Sequence, residues 1–412
     1  MPKVNPEIEA FARIKVIGVG GSGKNAVNHM VNSKVKGVEF IVVNTDAQDL
    51  HNSLASKKIH IGKNLTRGLG TGMNPELGRR AAEETKEELQ EAIKGADMVF
   101  ITGGMGGGTG TGASPIVART AREQGALTIG VVTKPFFFEG TQRMRLAEEG
   151  LEHLESEVDA LIIIPNDKLL STEKDSTILN AFAKCDEVLR QAVEGISDLI
   201  TTPGLINVDF ADIKAVMVDA GTALMGIGTA SGENRAVEAA RMAINSPLLD
   251  VSINGAKGVL FAIAGGEDLK MQEIQDAARV ITESVDTNAK VIFGAIMDPK
   301  LRKGEIKITV IASGFPTGAP ARAKQREERK GRPMDAVNEN TDENDAPDLF
   351  EKKQEERTLE VNRLHPQKES SERAIFNTIP SVKEEKDARR TIDIEDEDLG
   401  VIPSFLRRSK LR

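Results

Sequence analysis

Several features that assign a sequence to a class at once are scarce or missing here. The 412 residues include one cysteine, Cys185, which excludes an internal disulfide framework and leads us to expect a reducing compartment, the cytoplasm. Trp and Tyr are absent, which argues against carbohydrate or aromatic-cage recognition. No apolar run reaches the roughly 18 residues of a bilayer-spanning helix, and the first ten residues lack the apolar core of a signal peptide. Direct membrane insertion is therefore not expected.

An excess of positive charge is missing as well. The chain has 54 Lys and Arg against 63 Asp and Glu, a formal net charge of −9, which disfavours nucleic acid as a partner. Composition changes after Phe315, because residues 317–412 contain 20 Lys or Arg and 22 Asp or Glu among 96 residues. Such a segment cannot bury enough apolar surface to offset the entropy lost on ordering. We therefore predict a disordered linker at 317–390.

Ahead of this tail, short runs rich in Ile and Val alternate with helical patterns. Alternation of this kind is typical of a parallel, doubly wound α/β sheet. The predicted strands are Arg13–Val19, Val38–Asn44, Asp97–Thr102, Leu127–Thr133 and Ala160–Pro165. Helices are predicted between them, for example at Pro75–Lys94 and Ser114–Gln124.

A long amphipathic helix follows, with Ser176 or Thr177 as its N-cap and Thr202-Pro203-Gly204 as its end. Beyond it the pattern predicts a second, smaller α/β unit at about 213–315. Its predicted strands are Ala215–Val218, Val259–Ala264, Val291–Met297 and Ile306–Ala312, and its predicted helices are Glu233–Asn245 and Leu269–Val285.

The first glycine loop, 18–25, follows a strand and is expected to open a helix at Ala26–Asn32. Three interpretations remain open for it. It fits GxGxxG, with Asp46 as a ribose-binding acid, which would mean a dinucleotide site. It nearly fits a P-loop, but Asn25 stands where Ser or Thr would ligate Mg²⁺. It could also be only a tight turn between strand and helix.

A second loop is more informative, because seven glycines fall within residues 102–112. Each glycine costs backbone entropy on ordering, so a cluster of this size needs a reason. A cradle of N–H groups around phosphates, with the hydroxyls of Thr109 and Thr111, supplies one. A flexible linker fits poorly between buried elements. A third loop, 67–72, precedes the helix at Pro75, and three loops at one sheet edge suit a triphosphate better than a dinucleotide.

These motifs resemble those of bacterial FtsZ, the tubulin-like cell-division GTPases. The second loop contains the signature of that family at 106–112, and the resemblance extends over residues 11–315. Further matching motifs are Val43-Asn44-Thr45-Asp46, Thr133-Lys134-Pro135-Phe136, Ile164-Pro165-Asn166-Asp167-Lys168 and the segment 203–212, and the terminal peptide 402–408 matches as well. The first loop departs from the family, whose usual glycine run is interrupted here by Ser22 and Lys24.

The resemblance implies a Rossmann-like GTP-binding domain, a central helix, a smaller C-terminal α/β domain and a disordered tail. It implies GTP, with Mg²⁺ bound through the nucleotide phosphates rather than at a protein metal site. The implied nucleotide contacts on the phosphate side are Gly20, Gly21, Ser22, Gly23, Lys24, Asn25, Asn44, Gly70, Thr71, Gly72, Gly104, Gly106, Gly107, Gly108, Thr109 and Gly110. On the ribose and guanine side they are Glu139, Arg143, Asn166, Phe182 and Asp186.

The residues alone leave some of these assignments open. Phe182 and Asp186 are four apart and share one helix face, and a carboxylate can accept from two N–H donors of guanine, yet Phe182 could also be ordinary core. Glu139 and Arg143 could be an i,i+4 surface pair. Cys185 is expected to be a small packed residue rather than a reactive thiol.

Asp209 and Asp212 form the acid cluster of interest, in the segment Asn207-x-Asp209-x-x-Asp212. From the residues alone it is a helix cap and a solvated turn. In the family this loop reaches the nucleotide of the next subunit, where its aspartates polarise the attacking water. The glycine loops supply donors but no base, so a carboxylate from a partner would complete the site.

We therefore expect a cytoplasmic GTPase of the division ring at midcell, which forms head-to-tail homopolymers. The alternatives are a Rossmann-type NAD-dependent oxidoreductase and a non-hydrolysing GTP-binding scaffold. The expected boundaries are a flexible N-terminus at 1–10, a GTP-binding domain at 11–175, a central helix at 176–203, a C-terminal domain at 204–316 with its catalytic loop at 204–212, and the linker. A terminal peptide at 391–412 is expected to bind division proteins and a membrane tether through 402–412, although a solvated tail is the other interpretation.

Overall fold

The computed structural model describes residues 12–170, 177–202, 204–246, 253, 255–298 and 300–315. The predictions for 1–10, for Ser176, for the linker at 317–390 and for the peptide at 391–412 lie outside these residues. The strands are β1 Ile14–Val19, β2 Val38–Asn44, β3 Lys57–His60, β4 Met98–Gly104, β5 Leu127–Lys134, β6 Ala160–Pro165, β7 Gly221–Ser231, β8 Gly258–Gly265, β9 Lys290–Met297 and β10 Glu305–Ser313.

The strands hydrogen-bond in the order β3-β2-β1-β4-β5-β6-β7-β10-β8-β9. The pairs from β3 to β7 are all parallel, so the carboxyl ends of these strands share one edge. β10 is antiparallel to β7 and to β8, while β8 and β9 are parallel. The predicted α/β fold, with a parallel N-terminal sheet and a smaller C-terminal unit, is confirmed.

Helices cover both faces of the parallel part, which explains why its strands are apolar on both sides. They are α1 Gly20–Asn32, α2 Ala47–His51, α3 Lys63–Thr66, α4 Pro75–Glu84, α5 Lys86–Ile93, α6 Thr109–Glu123, α7 Thr141–Glu155, α8 Asn166–Leu170, α9 Ile178–Thr201, α10 Phe210–Met217, α11 Arg235–Ile244 and α12 Met271–Thr282. α1 and α9 pack in the core on one face, and α4 to α7 pack in the core on the other.

The long helix α9 runs from one edge of the sheet to the other. The Thr177 hydroxyl caps its start by accepting from the Asn180 N–H at 3.2 Å, as predicted. Its last residue, Thr201, lies against Gly37, just before β2 begins. α9 therefore starts at the carboxyl edge of the parallel strands and ends at their amino edge.

One prediction for the C-terminal unit is wrong, and one of its strands was missed. Ala215–Val218, predicted as a strand, lies in the last turn of α10 and the residue after it, because Asp209 caps that helix and Ile213, Val216 and Met217 are buried at helical spacing. The strand β7 was not predicted at all, since its glycines resemble a loop. At Gly226 and Gly228 a Cβ would collide with carbonyls of α11, so these glycines let the helix approach the strand.

The N-terminal unit differs from prediction in smaller ways. The helix predicted at Pro75–Lys94 is two helices that meet at Thr85. Helices α1 and α6 begin at Gly20 and Thr109, inside the glycine loops, rather than after them. Among the described helices, none is both long and apolar enough to cross a membrane.

Candidate functional site

A cavity of about 510 Å³ opens at the carboxyl edge of the parallel strands. Its wall includes residues at or just after the ends of β1, β2, β4, β5 and β6, together with the third glycine loop and the first half of α9, from Phe182 to Leu189. Crevices outside the carboxyl ends of parallel strands are where α/β folds bind ligands. The size of this cavity is within the range of small-molecule sites.

One side of the cavity consists of closely packed backbone from the glycine loops. α1 and α6 both begin here, and the positive ends of their dipoles point towards the cavity. Gly20 has a φ of +73°, and a Cβ on it would lie 3.0 Å from the Gly110 nitrogen. The Ser22 hydroxyl accepts from the Gly104 N–H at 2.5 Å, so this serine links the first loop to the second.

Thr109 joins three loops at the base of this cradle. Its hydroxyl lies 2.9 Å from the hydroxyl of Thr45, after β2, and 3.3 Å from that of Thr71, in the third loop. The Thr111 hydroxyl was expected to surround phosphates as well. It instead accepts from the Gly106 N–H at 2.8 Å and closes the second loop on itself.

The opposite side of the cavity contains the side chains assigned to the base. Phe182 is half-buried and packs edge-on against Phe136, with ring centroids 5.2 Å apart, while it also lines the cavity. Arg143 donates to Glu139 at 2.7 Å, so this i,i+4 pair forms, but it lines the cavity and both side chains are largely buried. The two interpretations of each residue are thus compatible.

Two buried amide groups face the cavity with acceptors that the protein does not use. Asn25 and Asn166 are 7 % and 5 % exposed. Their Oδ1 atoms have no hydrogen-bond partner within the described ranges. Buried polar atoms are normally satisfied, so an unused acceptor beside a cavity indicates a place where a ligand donates.

On the side of the cavity assigned to guanine, the main ionisable group is Asp186. Burial raises the pKa of Asp186 to about 7, and the positive charges of His29 and Lys24 act in the opposite direction. Burial also raises the pKa of the neighbouring Cys185 thiol. The cysteine is therefore a protonated, packed residue of the wall rather than a nucleophile.

Most of the predicted contacts meet in this one cavity. The lining includes Gly20, Gly21, Ser22, Asn25, Asn44, Gly70, Thr71, Gly72, Gly104, Gly107, Gly108, Thr109, Gly110, Glu139, Arg143, Asn166, Phe182 and Asp186. Gly23, Lys24 and Gly106 lie outside the lining. Sequence reasoning missed the apolar members Leu69, Met73, Met105 and Leu189, which carry no signal that distinguishes them from core or loop residues.

The segment 204–212, called the acid loop below, lies outside this cavity. Asp209 and Asp212 are both exposed and follow the far end of α9. Asp209 Oδ1 accepts from the Ala211 N–H at 3.1 Å and caps α10, as the residues alone suggested. The backbone of Ile206 pairs with Ala295 of β9, which fixes the loop to the sheet edge. Leu189 is the last residue of α9 that lines the cavity, and the 12 residues from it to Thr201, at 1.5 Å per residue, place the far end of the helix about 18 Å beyond the cavity wall.

Two family models match the chain. The model for the tubulin/FtsZ family GTPase domain matches residues 13–174, which contain all three glycine loops. The model for the FtsZ family C-terminal domain matches residues 221–316. The chain belongs to the tubulin/FtsZ family. Members of this family are GTPases with a filament-forming fold, and neither alternative function is favoured by these matches.

Solved structures of the family agree with this assignment. An empty FtsZ dimer from M. jannaschii is 47 % identical, and the match covers 74 % of this chain and 89 % of that chain with a TM-score of 0.72. A mutant FtsZ from M. jannaschii is 48 % identical, with 74 % and 92 % covered and a TM-score of 0.72. CetZ2 from Haloferax volcanii, solved as a protofilament with GTPγS bound, is 22 % identical, with 77 % and 98 % covered and a TM-score of 0.64. The last match concerns the fold alone.

Proposed function

We propose that this chain binds GTP in the cavity, assembles head to tail, and hydrolyses GTP where the acid loop of one subunit meets the cavity of the next. The observation that supports the proposal is the separation of the cavity from the acid loop within one chain. The cavity has donors and a base-binding wall at one end of α9, and the exposed aspartates lie at its other end. In the cell, the same proposal makes the chain a cytoplasmic protein of the division ring.

Several features of the cavity favour a nucleotide with several phosphates. Two helix N-termini and three glycine loops supply N–H donors to one region, which suits more than one anionic group. The first turns of both helices are built from glycine, serine and threonine, so little side-chain bulk separates their backbone N–H groups from a phosphate. Mg²⁺ would be held chiefly through the phosphate oxygens, as is usual for this metal.

Guanine is favoured over adenine by the wall opposite the phosphates. An ionised Asp186 can accept from the ring N–H and the exocyclic amine on one edge of guanine, and adenine has no such pair of donors. Asn166 has an unused buried acceptor on the same side. Phe182 presents an aromatic ring, supported from behind by Phe136, on which a base can stack.

Hydrolysis requires a group that positions water and accepts a proton, and such groups contribute typically about 10²–10⁴-fold. Asp209 and Asp212 are exposed carboxylates on an anchored loop, but α9 separates them from their own cavity. A second subunit, placed head to tail, would bring its loop to the cavity of the first. Such a contact is heterologous and does not close, so it produces filaments.

Exposed apolar side chains lie near the cavity and on the acid loop, and they are consistent with a contact between these two regions. Phe137 and Phe138 follow β5 at the cavity end and are 83 % and 56 % exposed, and Leu69 of the third loop is 61 % exposed. At the other end, Leu205 of the acid loop is 55 % exposed. Apolar groups of this size are favourable to bury between subunits.

The last part of the proposal concerns the C-terminal tail, residues 317–412. Residues 391–412, outside the described part, combine an acidic run, the apolar residues Ile402, Phe405 and Leu406, and a basic end. We propose that this peptide docks on a membrane tether and on other division proteins. The linker at 317–390 would act as a spacer.

One experiment separates this proposal from its alternatives. The purified full chain is incubated with GTP, ATP or NAD, and phosphate release is measured together with sedimentation of polymer. We expect phosphate release and polymer with GTP and neither with ATP or NAD. Polymer with GTP but without phosphate release would favour the scaffold, and tight NAD binding without GTP binding would favour the oxidoreductase.

A further inference from the structure

Lys24 is a lysine in an unusual place. It lies in the first glycine loop, and its side chain is 0 % exposed. Its Nζ lies 3.0 Å from Oδ1 of Asp49, which is 3 % exposed. Burying both partners costs each its hydration, so a buried ion pair is weak evidence for a role in stability.

Asp49 connects Lys24 to the phosphate side of the cavity. Its Oδ2 accepts from Nδ2 of Asn44 at 2.9 Å, and Oδ1 of Asn44 accepts from the Thr45 N–H at 2.8 Å. Asn44 lines the cavity, and the hydroxyl of Thr45 contacts Thr109 at the base of the cradle. The orientation of Asn44 is thus fixed by a carboxylate whose own position is fixed by Lys24.

The charge of Lys24 also affects Asp186, on the side of the cavity assigned to guanine. It lies on α1, which packs against α9. The cationic groups that act on Asp186 from α1 are His29 and Lys24. His29 is also paired with Glu187 at 3.0 Å. Lys24 therefore contacts the carboxylate that orients Asn44, and its charge adds to that of His29 in opposing the effect of burial on the pKa of Asp186.

Other charged groups around the cavity already have partners, either an opposite charge or a backbone N–H. Glu139 accepts from Arg143 at 2.7 Å, and Glu187 accepts from Arg190 as well as contacting His29. Asp46 accepts from the Asp49 N–H at 3.0 Å and caps α2.

We propose that Lys24 is a positioning residue of the nucleotide site: through its contact with Asp49 it orients Asn44 towards the phosphates. Together with His29, its charge also favours the anionic form of Asp186, which would accept from guanine. The inference rests on the proposed GTP binding. It differs from direct phosphate contact, because the side chain lies outside the cavity lining. It also differs from a role in stability alone, because it predicts a change in the pH dependence of binding.

The test measures GTP affinity by calorimetry from about pH 5.5 to 9 for the parent chain and for Lys24→Met. Without the lysine charge, Asp186 should protonate at a higher pH, so the pH at which affinity falls should move upwards. Affinity at neutral pH should weaken by about tenfold, the loss expected when one charge-assisted hydrogen bond is disturbed. The ionisation of the nucleotide phosphates is common to both proteins and cancels in the comparison.

A double variant, Lys24→Met with Asp49→Asn, separates the two roles and removes the unpaired buried carboxylate that could prevent folding. Asp49→Asn retains a side-chain oxygen that can accept from Asn44, so affinity at high pH should return to within about threefold of the parent. The raised pH midpoint should persist, because the lysine charge is still missing.

Lys15→Met serves as the matched control. Lys15 is a largely buried lysine of β1 that pairs with Glu39 at 3.2 Å near the opposite edge of the sheet, so its loss should leave the pH midpoint unchanged. A Lys24→Met protein that folds and keeps parental affinity would overturn the positioning role, and a double variant with the parental midpoint would overturn the electrostatic one. If the parent itself does not prefer GTP to ATP, the proposed function fails, which is a different result.

Discussion

Removal of the Asp212 carboxylate tests whether the acid loop acts on the cavity of another subunit. Asp212→Ala should lower kcat for GTP hydrolysis by about 10²–10⁴-fold, the usual contribution of a positioned base. GTP affinity should not change, because the loop follows the far end of α9, about 18 Å along the helix beyond Leu189, its last residue in the cavity wall. Phosphate release and nucleotide binding are measured separately on the same preparation.

A mixing experiment then distinguishes action within one chain from action between chains. Asp212→Ala has an intact cavity and a defective loop, whereas Asp186→Ala has a defective cavity and an intact loop. In an equal mixture that assembles at random, about a quarter of the interfaces join an intact cavity to an intact loop. At a GTP concentration that saturates the parental cavity but not that of Asp186→Ala, each variant alone should be nearly inactive, and the mixture should recover up to about a quarter of the parental rate.

The matched control is Asp286→Ala, which removes another exposed aspartate that accepts from a nearby backbone N–H, here that of Asn288 at 2.8 Å. This change should leave the rate unaltered. A mixture with no more activity than the sum of its components, while both variants enter the same polymer, would refute catalysis between subunits. Loss of GTP binding in Asp212→Ala would refute the separation of the two halves.

Three further outcomes are expected. Asp186→Ala should weaken GTP binding by roughly 1.5–3 kcal/mol and reduce the preference over ATP, whereas unchanged affinity in a competition assay would assign Asp186 a structural role. Burial alone raises the pKa of Glu187, but hydrogen bonds from Arg190 and His29 outweigh it and hold that pKa well below its usual range. The ionised Glu187 therefore stabilises the folded chain fully above its unfolded-state pKa, and this contribution is lost on acidification. Glu187→Gln should flatten the fall of unfolding free energy between about pH 6 and 3, as measured by urea titrations. Truncation after Phe315 should leave hydrolysis and polymer intact but abolish recruitment to tether-coated liposomes, as should removal of 402–412 alone; normal recruitment of the short deletion would contradict the docking role of the peptide.

The N-terminal sheet could be predicted because its signals are local. Short apolar runs, such as Val38–Asn44, end in glycine, asparagine or proline, and each stands alone as a strand of a parallel sheet. The failure at β7 has a clear reason. Its glycines carry no strand signal, and their need appears only when α11 packs against them, through contacts that are distant in sequence.

The same limit applies within the site. The glycine loops were predictable, since a cluster of seven glycines needs a local explanation. The burial of Lys24 was not, because lysine is among the residues least often found inside a protein. Its partner, Asp49, is 25 positions further along the chain, and the pairing of β1 with β2 is what brings α1 and α2 together.

The position of α9 explains why hydrolysis would depend on assembly. Phe182 and Asp186, near the start of this helix, line the cavity, whereas Leu199, near its end, packs where a Cβ on Gly294 of β9 would collide with it. Because one helix is held at both ends, the acid loop cannot approach its own cavity without unfolding part of the core. On the proposed function, a carboxylate of the acid loop would therefore reach a bound nucleotide only in a neighbouring subunit. On this proposal, hydrolysis is restricted to assembled subunits by distance alone, and a free subunit would bind GTP without consuming it.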